Sequence, residues 1–235
     1  MDSITQAALG ATVAGVIAGK RCNAKVLLAG ALLGTLPDLD VFIDYGDDIS
    51  NTVKHRGFSH SLLILLPFSL LLAGLFKRFK PLAGWSFSRL WFLIAASLIT
   101  HPLLDTFTSY GTQLLWPIAG YYSLSSVFII DPLYTLPLLI AIGVGLVKRP
   151  LLSRCCAIGL ILSSVYLGWT LFAKGLIENR AEASIAAVSI NADAVFITPT
   201  PLNTLLWRVV ILDGERYWEV LASVLDNQPH IEFIA

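Results

Sequence analysis

Charged side chains are scarce in this sequence. Aspartate, glutamate, lysine and arginine make up only 14% of the chain, against about 25% in soluble domains. Hydrophobic residues make up 56%, and the mean hydropathy is +0.74. This composition excludes an ordinary soluble domain and predicts an integral membrane protein whose partner is the lipid bilayer. Because the 16 basic and 16 acidic residues balance, we expect no nucleic acid partner, which would require clustered positive charge.

Cysteine is also rare. The chain has three cysteines, and no pair of them has the Cys-x-x-Cys spacing of a metal or redox motif. Two of them, Cys155 and Cys156, begin an apolar run, so we interpret all three as small buried or lipid-facing residues. The start of the chain lacks a basic region and an Ala-x-Ala cleavage pattern. We therefore expect a retained first helix and not a cleaved signal.

Long apolar runs, in contrast, are frequent. A spanning helix needs about 20 apolar residues; the fifth and sixth runs reach this length, and the third and fourth nearly do. The first two are short and rich in glycine and alanine, which suits close helix packing. They are expected to form a tight hairpin that either just spans or re-enters. The six runs lie at residues 4–19, 26–36, 60–76, 90–107, 127–147 and 155–176.

Basic residues concentrate in alternate connections. Ten of the 16 basic residues lie in the connections that follow the first, third and fifth apolar runs. No acidic residue lies in these three connections. The positive-inside rule places such connections in the cytoplasm. The simplest topology therefore has six spans with the N- and C-termini extracytoplasmic. The ten residues are Lys20, Arg21, Lys25, Lys77, Arg78, Lys80, Arg89, Lys148, Arg149 and Arg154.

The character of the sequence changes near residue 178. Stretches such as AVSI, AVFI, LWRVVIL and RYWEVLASV are rich in β-branched and aromatic residues, which favour strands. The Asp213–Gly214 pair favours a hairpin turn between the last two. The predicted fold is an all-α polytopic membrane bundle of about six helices with a small C-terminal β-rich domain. The boundaries are 1–177 for the helical membrane domain and 178–235 for the extracytoplasmic β-rich domain.

Ionisable residues next to the apolar runs require an explanation, because such residues are costly there and usually functional. They form three groups that close the second run, open the third and close the fourth. The predicted topology puts all three groups at the extracytoplasmic end of their helices, so that residues distant in sequence can converge. The groups are Asp38 and Asp40, then His55, Arg56 and His60, then His101 and Asp105.

The spacing within these groups suits metal ligation. His101 and Asp105 are four residues apart and share one stripe of a helix, although Pro102 can kink the helix or restart it there. Asp38 and Asp40 lie in a turn led by proline, where both carboxylates can face a cation. Imidazole and carboxylate ligands together suit zinc, with manganese or iron as alternatives. We predict six metal ligands: Asp38, Asp40, His55, His60, His101 and Asp105.

Other polar residues have simpler interpretations. Arg56 either stabilises an anionic substrate or pairs with a nearby aspartate, and the sequence favours neither. Ser59 and Ser61 lack the surroundings of a nucleophile, so we interpret them as caps of the third helix. Asp131 precedes a proline at the start of the fifth run, and we interpret it as a residue that starts that helix. His230 in the C-terminal tail is interpreted as structural.

These motifs resemble those of the membrane-bound metal-dependent hydrolase family of bacteria, often labelled YdjM-like. The resemblance covers about the first 140 residues and implies the bacterial inner membrane as the location. It also implies a distant similarity to zinc-dependent phospholipase C and to single-strand nucleases with a helical multi-zinc site. Its motifs are MDSITQAALG at 1–10, LPDLD at 36–40, HRGFSHS at 55–61 and HPLLDTFTSYGTQLLWP at 101–117.

The resemblance implies the same six ligands, with two departures from the family pattern. Gln6 stands at a position where many members of that family have a histidine. Val41, which follows LPDLD, stands at a position where some members have a second histidine. The resemblance implies that either change would remove or weaken one metal position, and so alter the number of metals bound. Gln6 still offers an amide oxygen, and Asp2 lies one turn before it on the same face.

The leading functional hypothesis is a membrane-embedded metal-dependent hydrolase that acts on a phosphoester of lipid origin at the extracytoplasmic surface. Asp40 or Asp105 would accept the proton, and Arg56 would offset charge on a phosphoryl oxygen. A transporter or non-catalytic metal-binding protein is the alternative, but the apolar centres carry almost none of the polar residues that a pathway needs. A third hypothesis is a scaffold whose function lies in the β-rich domain.

Overall fold

A computed structural model describes residues 1–47, 51, 55–79, 84–188 and 191–226. Lys80 and His230 lie outside the described residues. Within them the chain forms six α-helices followed by three strands. The helices are α1 (Ser3–Ala18), α2 (Ala24–Thr35), α3 (Leu62–Phe79), α4 (Phe87–Asp105), α5 (Pro132–Val147) and α6 (Leu152–Val188), and the strands are β1 (Ala194–Pro199), β2 (Leu206–Asp213) and β3 (Arg216–Ser223).

This architecture confirms the predicted fold class, a helical membrane protein with a small C-terminal sheet. Among the described residues, three helices are long and apolar enough to cross a bilayer: α3, α4 and the helix that contains α6. Helix α5 is also apolar but shorter. Asp131 caps α5 as expected, because its carboxylate accepts hydrogen bonds from the backbone N–H groups of Leu133 and Tyr134.

Helix α1 is the centre of the bundle, with α2 packed closely against it. Most of its residues are buried, and the helices approach so closely that glycine is needed at the contact. A Cβ atom on Gly34 would lie 2.6 Å from the backbone oxygen of Gln6, and one on Gly30 would lie 2.4 Å from that of Gly10. The predicted hairpin of small residues is therefore a tightly packed helix pair.

Helix α6 is longer than a membrane span requires. Its 37 residues correspond to about 55 Å, whereas the hydrocarbon core is about 30 Å thick. In its second half, Ala173, Ile177 and Ala181 are buried against the sheet, whose largest buried side chain is Trp207. The prediction that a β-rich stretch begins with AVSI is wrong for Ala187 and Val188, which still belong to α6. Packing against the sheet and the alanine-rich sequence extend the helix.

The sheet is antiparallel with the order β1-β2-β3. Asp213 and Arg216 pair across the turn that contains Gly214, which has a φ of 57°, so the predicted hairpin is confirmed. The sheet also supports the connection between α4 and α5. Ser109 and Thr198 share a hydrogen bond of 2.7 Å between their hydroxyls. The C-terminal domain thus contacts and stabilises the segment between α4 and α5, which begins directly after Asp105.

Candidate metal centre

Three elements meet at one end of the bundle and bring four of the six predicted ligands together. Asp38 lies in the 3₁₀ segment Leu36–Phe42 after α2, and His60 ends the 3₁₀ segment Phe58–His60 before α3. His101 and Asp105 occupy the last turn of α4, which continues through Pro102 without a break. One ligand atom from each residue lies within 4.8 Å of the other three.

The distances within this cluster are short and similar. The two Nε2 atoms of His60 and His101 are 3.1 Å apart. Asp38 Oδ1 lies 3.5 Å from His60 Nε2 and 3.2 Å from His101 Nε2. Asp105 Oδ2 lies 3.4 Å and 3.5 Å from the same two atoms. A tetrahedral ion with ligand bonds of about 2.0–2.1 Å separates its ligands by about 3.3–3.4 Å, so these five distances fit a zinc-sized cation.

The hydrogen-bond partner of His101 fixes which of its ring nitrogens carries the proton. His101 Nδ1 lies 2.5 Å from the backbone oxygen of Gly34. A carbonyl oxygen only accepts hydrogen bonds, so Nδ1 is the donor. In the neutral ring, Nε2 then presents its lone pair to the cluster.

His60 is fixed in the same way through a serine. Ser59 Oγ donates to Asp40 Oδ2 over 2.5 Å, and the same hydroxyl lies 2.9 Å from His60 Nδ1. Because an ionised carboxylate has no proton to give, the serine proton is directed to Asp40 and the serine oxygen accepts from His60 Nδ1–H. Nε2 of the neutral His60 ring therefore also presents a lone pair.

Two imidazole lone pairs consequently face each other over 3.1 Å, with a carboxylate oxygen on either side. Four acceptor atoms at this spacing repel one another unless a positive charge lies among them. His60 and His101 are at most 1% exposed, so water screens the repulsion weakly. The cluster can hold a metal ion, and its donor atoms have the chemistry that such an ion requires.

The surroundings of Asp105 turn one of its oxygens towards the histidines. Oδ1 accepts a hydrogen bond from Gln6 Nε2 over 3.0 Å and contacts the amino group of Met1. Oδ2 is buried without a hydrogen-bond partner among the described residues. Gln6 thus faces Asp105 with its amide nitrogen and not with its amide oxygen. The amide oxygen of Gln6 has no hydrogen-bond partner among the described residues. A carboxylate oxygen that ligates a cation has this pattern of contacts.

The close approach of carboxylates and imidazoles favours the charged forms of Asp38 and His60. Burial opposes the ionisation of Asp38, but hydrogen bonds and charge from His101 and His60 outweigh it and hold the pKa of Asp38 well below its usual range. Burial likewise opposes a charged His60, but Asp105 and Asp38 outweigh it and raise the pKa of His60. The cluster therefore attracts positive charge.

The two remaining predicted ligands, Asp40 and His55, lie beside this cluster and not in it. Their Oδ1 and Nδ1 atoms are 2.8 Å apart, close enough for a hydrogen bond but poorly aligned for one. The side chain of His55 is 29% exposed, whereas that of Asp40 is only 1% exposed. A 3₁₀ helix has three residues per turn, so residues 38 and 40 point in different directions and their carboxylates diverge.

Arg56 lies at the edge of the cluster in a strained conformation. Its φ is 66°, a value that is uncommon for a residue other than glycine. Its Nη1 donates to the backbone oxygen of Gly111 over 3.3 Å, and Nε lies 3.6 Å from Asp105 Oδ2 without a hydrogen bond. The guanidinium also stacks over the ring of Tyr110 at 5.6 Å. The guanidinium of Arg56 is thus held near the predicted ligands, and its Nε–H group remains available as a hydrogen-bond donor.

The sequence interpretation missed the supporting residues. Ser59 and Ser61 were expected to cap α3, but their hydroxyls donate to Asp40 Oδ2 and to the backbone oxygen of Trp116. Gly34 was not recognised as the acceptor for His101. The Gly30-x-x-x-Gly34 spacing was a signal for the close approach of the two helices, but no sequence pattern indicated where its carbonyl would point.

Comparison with known proteins places the chain among bacterial inner membrane proteins. The inner membrane protein YbcI of Escherichia coli (strain K12) is 35% identical over 117 residues, which cover 48% of this chain and 66% of that protein. The uncharacterized protein YfhP of Bacillus subtilis (strain 168) is 22% identical over 227 residues, which cover 93% of this chain and 67% of that protein.

The chain thus spans about two thirds of the length of each of these relatives. No solved structure matches it. The family model described as YdjM inner membrane protein matches residues 1–177, which include all four clustered ligands. The chain therefore belongs to the YdjM inner membrane protein family.

Proposed function

We propose that this protein is a zinc-dependent hydrolase of phosphoesters at the surface of the bacterial inner membrane. The observation that carries the proposal is the approach of His60 Nε2 and His101 Nε2 to 3.1 Å, between carboxylate oxygens of Asp38 and Asp105. Asp38, His60, His101 and Asp105 would hold the ion. A bound divalent cation would polarise a phosphoryl oxygen and lower the pKa of a bound water towards about 7.

His55 is the best placed residue to accept and return the proton. The sequence suggested Asp40 or Asp105, but Asp105 is surrounded by Gln6, Met1 and the two histidines, and Asp40 Oδ2 is taken up by Ser59 and by the backbone N–H of Arg56. The side chain of His55, in contrast, is 29% exposed. Asp40 Oδ1 lies 2.8 Å from His55 Nδ1, so a small rotation of the ring would form a hydrogen bond there. Nε2 would then be free to take a proton, as a general base does.

Arg56 is suited to offset negative charge on a phosphoryl group. Its guanidinium is positioned by Gly111 and Tyr110, and Nε retains an unused hydrogen-bond donor. Because guanidinium donors match the geometry of phosphate oxygens, a bound phosphoester would compete with Asp105 for this cation. The strained backbone at Arg56 supports a functional role.

A lipid-derived substrate is supported by the surface next to the cluster. Leu39, Phe42 and Ile43 follow Asp38 in the chain and are 52%, 83% and 41% exposed. Ile118, in the connection after α4, is 60% exposed. Large exposed apolar side chains at a helix end are typical of contact with the bilayer. A site among them can reach phosphate groups attached to lipids.

The function is tested by hydrolysis of phosphatidic acid in mixed micelles with the purified full-length protein. We expect phosphate release that a chelator abolishes and added zinc restores. Diacylglycerol phosphate esters of choline and glycerol in parallel reactions identify the class of phosphoester. Failure to release phosphate or a headgroup from any of these lipids, with zinc bound, would favour the non-catalytic metal-binding alternative.

We also propose the six-span topology with the metal centre on the extracytoplasmic side. In the structure the clustered ligands lie at one end of the helices, and Lys20, Lys77 and Arg149 lie at the other. Fusions of a periplasm-active and a cytoplasm-active reporter after residue 79 and at the C-terminus test this arrangement. We expect cytoplasmic activity at the first position and periplasmic activity at the second. Equal activity at both positions would contradict it.

A further inference from the structure

The end of the bundle opposite the metal centre contains a crevice of about 660 Å³ between helices. We call it the basic crevice. Its walls are apolar and come from α2, α3 and α4, with Val26, Leu33, Phe76 and Leu93 among them. Two of these helices, α3 and α4, are candidate membrane spans. The walls therefore lie at a depth where lipid chains are the surrounding solvent.

The mouth of the basic crevice is positively charged. It is lined by Lys20, Arg21 and Lys25, and no acidic residue of the described chain lines it. Lys20 and Lys25 are exposed and form no ion pair with any carboxylate that the structure describes. Two ammonium groups without counter-charge at the mouth of an apolar crevice fit a ligand with an anionic head and an apolar tail.

Arg21 and Trp85 give the mouth a fixed shape. The Arg21 guanidinium stacks over the Trp85 ring at 5.9 Å and hydrogen bonds to the backbone oxygen of Gly84. Lys77 Nζ donates to the backbone oxygen of Trp85 over 2.5 Å. Tryptophan is enriched at the level of lipid headgroups, so Trp85 marks the depth at which a headgroup would lie. The cations that line this mouth are at the same depth.

We infer that the basic crevice binds an anionic phospholipid, with one acyl chain between α2 and α4 and the headgroup phosphate at Lys20 and Lys25. Basic pockets between membrane helices recognise anionic headgroups in this way. A zwitterionic lipid offers the same chains but adds a positive charge that these lysines repel. The preference for an anionic head therefore distinguishes a specific site from general solvation. This inference does not depend on the metal centre.

Native mass spectrometry of the full-length protein in mild detergent tests the inference. The protein is titrated with dioleoyl phosphatidylglycerol or, in parallel, with dioleoyl phosphatidylcholine. We expect tighter binding of the first phosphatidylglycerol molecule. The double variant Lys20→Ala/Lys25→Ala should lose that preference by roughly 30-fold, because each lysine near an anionic surface contributes a factor of about five. Equal binding of both lipids by the wild type would overturn the inference.

Two further variants distinguish lipid binding inside the crevice from general attraction by nearby positive charge. Lys148→Ala/Arg149→Ala removes two cations at the same end of the bundle that do not line the crevice, and should leave the preference unchanged. Ala29→Trp fills the crevice, which Ala29 lines, and should block the first phosphatidylglycerol molecule. Normal binding by Ala29→Trp would show that the lysines attract lipid to an open surface, and the inference would be wrong. Zinc content should be unchanged in all three variants.

Discussion

His101→Ala is expected to remove zinc from the purified protein. His101 supplies one of four ligand atoms, and its ring is at most 1% exposed, so no other side chain can take its place. Loss of a ligand should weaken zinc binding more than the 10–100-fold that loss of a supporting residue causes. Metal analysis by mass spectrometry, after purification without chelators, should give about one zinc per chain for the wild type and almost none for the variant.

Ser59→Ala provides a graded comparison for this measurement. Ser59 is not a ligand but directs the ring of His60 through a hydrogen bond of 2.9 Å. We expect its loss to weaken zinc binding by about 10–100-fold. Ser61→Ala is the matched control, because the Ser61 hydroxyl binds the backbone of Trp116 and not a ligand. It should retain wild-type affinity.

A folding defect must be separated from a loss of metal. Leu103→Ala alters the same turn of α4 at a residue that is 41% exposed, and it should keep its zinc. His60→Ala is a second ligand variant that should behave like His101→Ala. If both ligand variants elute as folded monodisperse protein and still bind zinc at wild-type affinity, the metal centre does not lie at this cluster.

His55→Gln is expected to separate catalysis from metal binding. In our proposal His55 transfers the proton but does not hold the metal, since it lies outside the cluster of ligand atoms. General acid–base catalysis contributes about 10²–10⁴-fold. The variant should therefore lose that much of kcat towards the best phospholipid substrate while its zinc content and thermal stability remain those of the wild type.

The two ways in which this result can fail are informative. Loss of zinc from His55→Gln would make His55 a ligand, as the sequence first suggested. Unchanged kcat with zinc retained would assign the proton transfer to another group. Arg89→Gln, which alters an exposed cation at the opposite end of the bundle, controls for a general effect on the detergent-solubilised protein. It should leave kcat and zinc content unchanged.

Hydropathy and the placement of basic residues were sufficient to predict the architecture and the end of the bundle at which the ionisable residues gather. Apolar runs must form helices because lipid offers no partner for backbone polar groups. Alternate basic connections then indicate which helix ends lie together. Together these two constraints predicted that Asp38, His60, His101 and Asp105 would approach one another, and their ligand atoms lie within 4.8 Å in the structure.

Which side chains face the cluster and which support it became evident only from the packing of the folded chain. Asp38 and Asp40 have the same chemistry and are two residues apart, but the 3₁₀ turn directs Asp38 to the Nε2 atoms of His60 and His101, and Asp40 to His55. The carbonyl of Gly34, 67 residues before His101 in the chain, fixes the proton on that ring. This contact depends on how closely α2, which carries Gly34, packs against α4, which carries His101. Apolar periodicity and charge do not encode distances of that kind, because they specify which surfaces meet but not the rotation of each side chain within the contact.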